Sequence, residues 1–252
     1  MAAIQNQPAW VLHARPFRES SQLLELLTRD YGRVGAVARG ARGTRSRWRG
    51  MLQPFRPLLV SYTRRSDLGT LTGAEQVAAP PALVGEALYC GLYVNELTLR
   101  LLMRHDPQPE AFEQYRATVM DLAAGSDVQP VLRHFEKQLL DATGFGLILD
   151  REAGGSNVIN PEARYDYQPE RGPVRVATHA PERPGIVRGS ALLALDAGEL
   201  ALEDRVPVRH MMRRVIRHHL GEKPLASEAL YRAMRTGRPA GSAGGADKEK
   251  HD

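Results

Sequence analysis

The residues best placed to do chemistry lie between positions 32 and 65, GRVGAVARGARGTRSRWRGMLQPFRPLLVSYTRR, where Arg33, Arg39, Arg42, Arg45, Arg47, Arg49, Arg56, Arg64 and Arg65 occur without one Asp or Glu. Positive charge with no local counter-charge calls for an anion. Guanidinium groups bind phosphate bidentately and stay charged at any working pH. An exposed indole at Trp48 would offer a base a face to stack on. Gly40, Gly43 and Gly50, with Thr44 and Ser46, make the middle of the stretch poor helix or strand material. We therefore expect a flexible basic loop between two strands. Its nucleic-acid contacts would be Arg33, Arg39, Arg42, Arg45, Arg47, Trp48, Arg49, Arg64 and Arg65. The plainer alternative is a solvated loop kept basic for solubility.

Two further basic elements lie downstream. In the helical pattern from Pro207 to Leu220, Arg209, Arg213 and Arg217 recur at i, i+4, beside the apolar Val208, Met211, Met212, Val215 and Ile216. Such a stripe could hold phosphates or an acidic peptide, or be no more than a solvated basic face. Arg133 and Lys137, in PVLRHFEKQLL, could flank a groove for the apolar residues and carboxylate of a partner's terminus. The competing reading has Phe135 and Leu139 in the core and Arg133 reaching out to water.

Little in the chain argues for catalysis, a metal or a cofactor. The single cysteine, Cys90, rules out an internal disulfide and a cysteine zinc site, and reads as a small core residue. His218 and His219 are adjacent, so on a helix they diverge by about 100°. There is no HExxH, no paired-acid cluster for metal ions, and GTRSRWRG lacks the GK[ST] ending of a phosphate-binding loop. The balance of 34 basic to 29 acidic residues gives a formal charge of +5, which favours anionic partners. Neither a signal-peptide pattern nor a bilayer-length apolar run is present, so a cytoplasmic protein without membrane contact is expected.

The elements that must position these residues change character near Pro80 and Pro81. Before them, AWVLHAR, QLLELLT, GRVGAVAR, PLLVSYTRR and TLTGAEQVA read as five short strands separated by turn signals. That number suits a small closed barrel, with an OB-fold the economical choice because it presents a face and loops to single strands. After the prolines the period becomes helical. Val84, Leu88, Leu92, Leu99 and Met103 form one stripe, and Tyr89, Tyr93, Leu97 and Leu101 fill much of the opposite side. Helices at 110–124 and from Asp127 to Gly144 follow, implying a bundle. Residues 149–188 are loop-rich with one hairpin, RYDYQ and PVRVA, and helices resume at 190–195, 207–220 and 225–234. The expected organisation is α+β: an OB-fold over 1–80, a helical domain over 81–236, and a disordered Gly/Ala-rich tail over 237–252.

The text VLHARPFRESSQLLELLTRDYGRVGAVARGAR, continuing to MLQPFRPLLVSY, resembles the N-terminal domain of the RecO family of bacterial recombination mediators. LYCGLYVNELTLRLL, FEKQLLDATGFGL and LGEKPLASEALYRAM extend the resemblance through the rest of the chain. It implies an OB-fold, a helical domain and no catalytic site. It also implies binding of single- and double-stranded DNA, strand annealing at the nucleoid, and action with RecR to load RecA onto DNA coated with single-stranded DNA-binding protein. The acidic, apolar C-terminal tail of that coating protein would dock on the helical domain, with Arg133, Lys137, Arg209, Arg213 and Arg217 as candidate contacts. Some members of the family carry a four-cysteine zinc module, but DREAGGSNVINPEARYDYQPER has no cysteine, so no zinc is expected. An RNA-binding OB protein of RNA metabolism would show similar arginines and is the alternative.

Overall fold

A computed structural model describes residues 2–236, apart from positions 156, 178, 180 and 182. The expectation of a disordered tail from Gly237 lies outside the described residues.

Five strands build the N-terminal part: β1 (Ala2–Phe17), β2 (Ser21–Thr28), β3 (Gly32–Ala38), β4 (Pro57–Arg64) and β5 (Leu68–Gln76). They form inward and outward faces by strand alternation. In β4, for example, Leu58, Val60 and Tyr62 are buried while their neighbours are half-exposed. Antiparallel ladders join β1 to β2, β2 to β3, β4 to β5 and β4 back to β1, and a short parallel ladder joins β3 to β5. The circle closes as β1-β2-β3-β5-β4, the OB arrangement. β1 starts well before Trp10, where the sequence pattern placed it. Its first half pairs with β4 and its second half with β2, and register irregularities between Ile4 and Gln7 and between Val11 and His13 let one strand curl past both neighbours.

Both faces of β1 are covered. Ala9 and Val11 point into the barrel core, while Trp10 and Leu12 belong to the core of the helical part. That part comprises α1 (Glu86–Leu101), α2 (Pro109–Ala123), α3 (Val128–Ala142), α4 (Gly189–Ala197), α5 (Arg205–Leu220) and α6 (Ala226–Thr236). Asp127 caps α3 by accepting from the Gln129 amide at 3.0 Å, and left-handed Gly125 and Gly144 follow α2 and α3. Between α3 and α4 lies a sheet of order β7-β6-β8, formed by β6 (Arg164–Gln168), β7 (Gly172–Arg175) and β8 (Ile186–Arg188). The expected hairpin is β6–β7. The third strand, only three residues long, gave no sequence signal.

The buried face of α1 differs from the expected stripe. Val84 and Met103 fall outside the helix and are 75% and 73% exposed, and Leu88 is exposed as well. The face turned inward carries Cys90, Val94, Asn95, Leu97 and Thr98. Large apolar residues misled the reading because two of the buried positions are polar and satisfied. Asn95 Nδ2 donates to the Leu12 carbonyl of β1 at 3.0 Å, and Tyr115 Oη donates to Asn95 Oδ1 at 2.6 Å. The Trp10 and Tyr115 rings meet beside this chain at 5.7 Å between centroids. Arg33 and Arg104 add polar ties, Arg33 to the Leu99 carbonyl and Arg104 to Glu25. At the β2–β3 turn Gly32 has φ +63°, and a Cβ there would collide with the Asp106 carbonyl.

Candidate nucleic-acid interface and an arginine-lined cleft

The segment linking β3 to β4, expected to be a flexible loop, is instead a chain of consecutive turns. Gly43 N–H donates to the Gly40 carbonyl, Ser46 to Gly43, Arg49 to Ser46 and Met51 to Trp48, at 3.0–3.2 Å. Two side chains pin it. Trp48 and Leu52 join the barrel's internal apolar cluster, and Trp48 is 6% exposed. The exposed stacking indole of the sequence reading is thereby corrected: burial of that large ring is what fixes the segment. The Arg47 guanidinium lies 4.1 Å from the indole centroid and donates to the Thr72 carbonyl at 3.0 Å.

With the indole turned inward, the arginines face out. Arg39, Arg42, Arg45, Arg47 and Arg49 are all exposed, and none forms an ion pair among the described residues. Arg42 N–H donates to the Ser20 carbonyl at 2.8 Å, and its guanidinium reaches the Arg18 and Glu19 carbonyls at 3.4 and 3.3 Å. The β1–β2 turn is therefore adjacent, and it brings exposed Arg18 to the same basic surface. Sequence reading missed Arg18 because it is separated from the segment by strands β2 and β3. A polar cleft of about 270 Å³ opens here, lined by Gln22, Arg42, Thr44, Trp48, Arg49 and Gln53 among others. Its guanidinium and amide groups can hydrogen-bond phosphate oxygens or base edges.

Arg33, Arg64 and Arg65 stand apart from this surface. Arg33 is held by the Leu99 carbonyl, and its own carbonyl accepts from His105 N–H at 2.9 Å. Burial lowers the Arg33 pKa, against the opposing charge of Glu25. Arg64 Nη1 lies 2.6 Å from His105 Nδ1. Both arginines thus serve the joint between barrel and helices, while Arg65 is exposed at the far end of β4.

The second basic element is divided by tertiary contacts. Arg205 pairs with Asp127 at 2.5 Å, Arg214 with Asp166 at 2.6 Å, and Arg213 and Arg217 with Glu228 of α6 at 3.0 and 3.2 Å. Much of the charge on α5 is therefore neutralised internally. Lys137 is likewise engaged, with Asp141 and Asp196 at 3.4 and 3.3 Å. Arg133 does not reach out to water. It is 5% exposed and pairs with Glu136, which also accepts from Tyr93 Oη at 2.7 Å. Burial pushes the Glu136 carboxyl upward, and Arg133 and Tyr93 oppose that shift.

Arg133, Arg209 and Arg213 nevertheless converge on a cleft of about 460 Å³ between α1, α3, α5 and α6. Arg232 and Arg235 of α6 complete five arginines, against the carboxylates of Glu86 and Glu228, over a floor that includes Tyr89, Cys90 and Leu132. Arg133 Nε and Nη1 and Arg209 Nε are buried without a hydrogen-bond partner among the described residues. Unpaired buried donors on an apolar floor suit a carboxylate carried by an apolar segment. Cys90 sits there as an inert thiol, its pKa pushed up to about 11, chiefly by burial. Lys137 and Arg217 do not line the cleft, and the sequence reading, which placed a helix at 225–234, did not assign its Arg232 and Arg235 to the site.

Residues 1–80 match the family described as "Recombination protein O N terminal" and residues 83–229 the one described as "Recombination protein O C terminal". The chain belongs to the RecO family. It is 48% identical over 237 residues to the DNA repair protein RecO of Alkalilimnicola ehrlichii, covering 93% of this chain and 94% of that protein. To the DNA repair protein RecO of Halorhodospira halophila it is 46% identical over 239 residues, covering 93% and 100%. Membership agrees with the fold, an OB barrel followed by a helical part bearing a small sheet. Among the described residues no helix is long and apolar enough to cross a membrane, and no group of three or more His, Cys, Asp or Glu is placed to hold a metal ion. Within the Asp150–Arg171 region Tyr165 Oη donates to Glu152 at 3.0 Å and accepts from the Asn160 amide at 3.0 Å.

Proposed function

We propose that this chain is a non-catalytic recombination mediator of DNA repair, which anneals complementary strands on the basic surface of its barrel and takes an acidic protein tail in its helical cleft. One observation carries the first half. Arg39, Arg42, Arg45, Arg47 and Arg49 are the exposed arginines of one ordered segment and have no carboxylate partner among the described residues, whereas the arginines of α5 mostly have one. Phosphates on that surface would displace counterions, which gives affinity without sequence preference and with strong salt dependence. Neutralising two strands together removes the repulsion that opposes their pairing. The protein supplies a surface and no bond is made or broken by it.

The cleft supports the second half. Its unpaired Arg133 and Arg209 donors and apolar floor fit the terminal carboxylate and apolar residues of the tail of single-stranded DNA-binding protein. Docking there would bring the mediator to coated DNA, where, in the manner the family resemblance implies, it would act in the cytoplasm with RecR to admit RecA. The barrel over 1–80 and the helical part over 81–236 are the two working units of this proposal.

The test is annealing of complementary oligonucleotides coated with the cognate single-stranded DNA-binding protein. Wild type is expected to anneal them, and a variant with Arg39, Arg42, Arg45 and Arg49 changed to Ala to lose that activity while still binding the isolated tail peptide. Failure of wild type to anneal would end the mediator reading. A preference for RNA in direct competition would favour an OB protein of RNA metabolism instead.

A further inference from the structure

Helix α6 is tied to its neighbours by three polar anchors. Only Ser227 among its residues is buried. Its N-terminus is capped from α1: Glu96 accepts from the Ala226 and Ser227 amides at 2.9 and 2.8 Å and from Ser227 Oγ at 2.6 Å. One turn on, Tyr231 Oη donates to Glu86 at 2.6 Å. The third anchor is Glu228, whose two oxygens take Arg213 Nε and Arg217 Nη2 of α5.

This third contact differs in kind from the other two. Glu228 and Arg213 both line the cleft, so a carboxylate of the protein itself already sits on one of the cationic groups that an incoming carboxylate would seek. Arg217, outside the cleft, shares the load: it draws part of the Glu228 charge away from Arg213. We propose that Glu228 is a specificity-determining residue of the cleft, an internal carboxylate that competes with the ligand's own for Arg213. The inference rests on the reading of the cleft as an acidic-tail site. It follows that the resting cleft discriminates against peptides with a single carboxylate, which can satisfy Arg133 and Arg209 but gain little from a neutralised Arg213. It admits peptides whose additional acidic side chains can displace Glu228 or engage Arg232 and Arg235 at the rim.

The physical requirement is that removing the Glu228 charge must not undock α6. Glu228→Gln is isosteric, keeps an amide oxygen for Arg213, and leaves the Glu96 cap and the Tyr231–Glu86 bond in place. The probe is a labelled synthetic peptide with several aspartates followed by apolar residues and a free terminal carboxylate, together with a version in which the aspartates are serines. Both are titrated by anisotropy against the full chain at two salt concentrations. Glu228→Gln is expected to bind the acidic peptide about three- to tenfold tighter than wild type, with steeper salt dependence, and to bind the serine peptide with a larger proportional gain. Arg217→Met, which leaves Glu228 to Arg213 alone, is expected to weaken binding in the wild-type background and to do so less in the Glu228→Gln background.

Tight binding by wild type that is unchanged or weakened in Glu228→Gln, with far-UV circular dichroism unaltered, overturns the competition. Absence of binding by wild type and variant alike removes the acidic-tail reading of the cleft, and this inference with it. Binding by Glu228→Gln alone supports the competition in its strongest form.

Discussion

Salt dependence of single-strand binding is the sharpest consequence of how the barrel presents its arginines. The five exposed, unpaired arginines of the β3–β4 segment can each neutralise one phosphate, and each contact on a single strand contributes about −0.7 to the slope of log affinity against log salt. Five contacts give a slope near −3.5, so affinity should fall about a hundredfold between about 50 and 200 mM salt. The perturbation is Arg39, Arg42, Arg45 and Arg49 all changed to Ala. Arg47 is spared because it packs on the Trp48 ring and bonds the Thr72 carbonyl, so its loss would confound charge with structure. None of the four replaced side chains is buried or ion-paired, and urea unfolding should shift by less than about 1 kcal/mol. The variant's slope should drop to about −0.7, and its affinity over the same salt range should fall only about threefold. Fluorescence anisotropy with a labelled oligothymidylate reads both quantities. A slope that stays within one unit of wild type in a folded variant would refute the reasoning and place the phosphates on another surface.

Trp48→Ala should destabilise the protein by about 3–5 kcal/mol in urea unfolding, because the indole is a core side chain. Trp48→Leu, which keeps an apolar plug but no ring, should when folded bind DNA within about twofold of wild type, where loss of a base-stacking ring would cost roughly 1–3 kcal/mol. Asn95→Ala leaves the Leu12 carbonyl and the Tyr115 hydroxyl unpaired at the barrel–helix joint, and should cost about 2–4 kcal/mol by the same measurement. Arg133→Met strands the buried Glu136 carboxylate and should cost about 3–5 kcal/mol near neutral pH. Because burial already raises that carboxyl, the folded state of the Met variant holds its proton more firmly than the unfolded state. Its stability should therefore recover as pH falls through the carboxylate range. Glu228 has the opposite sign. Burial works to raise its carboxyl, but hydrogen bonds and charge from Arg213, then Arg217, outweigh it and leave the pKa lowered from 4.5. Its contribution is thus present above about pH 4.5 and lost as pH falls through the folded value, so wild type and Glu228→Gln should converge in urea midpoint on acidification.

Much of the barrel was legible because strand alternation and turn residues are local. PLLVSYTR alternates as a half-buried strand must, and Gly32 sits where a turn needs positive φ. The short β8 strand and the buried face of α1 were not legible. β8 exists only by pairing with β6, and the α1 face is chosen by polar partners of Asn95 that lie 83 positions away at Leu12 and 20 away at Tyr115. At the site, the unopposed arginines from Arg39 to Arg49 were plain in the text, since charge patterning needs no folding to be seen. Which way Trp48 points was not, because an indole beside glycines reads equally as a stacking platform or as a plug, and only its packing into the barrel's apolar cluster decides for the plug.

By itself, the sequence determined the net positive charge, the α+β architecture and the concentration of arginine charge in one segment. Those are properties of composition and of periods of 2 and 3.6 residues along the chain. Tertiary structure alone decided which charges remain free. It spent Arg33 and Arg64 on the joint, paired Arg213 and Arg217 with Glu228, and buried Arg133 beside Glu136. It also brought Arg18 to the basic segment and Arg232 and Arg235 to the cleft. The physical reason is that a guanidinium's availability depends on the carboxylates and carbonyls within about 4 Å of it, and in this chain those come from strands and helices far away in sequence.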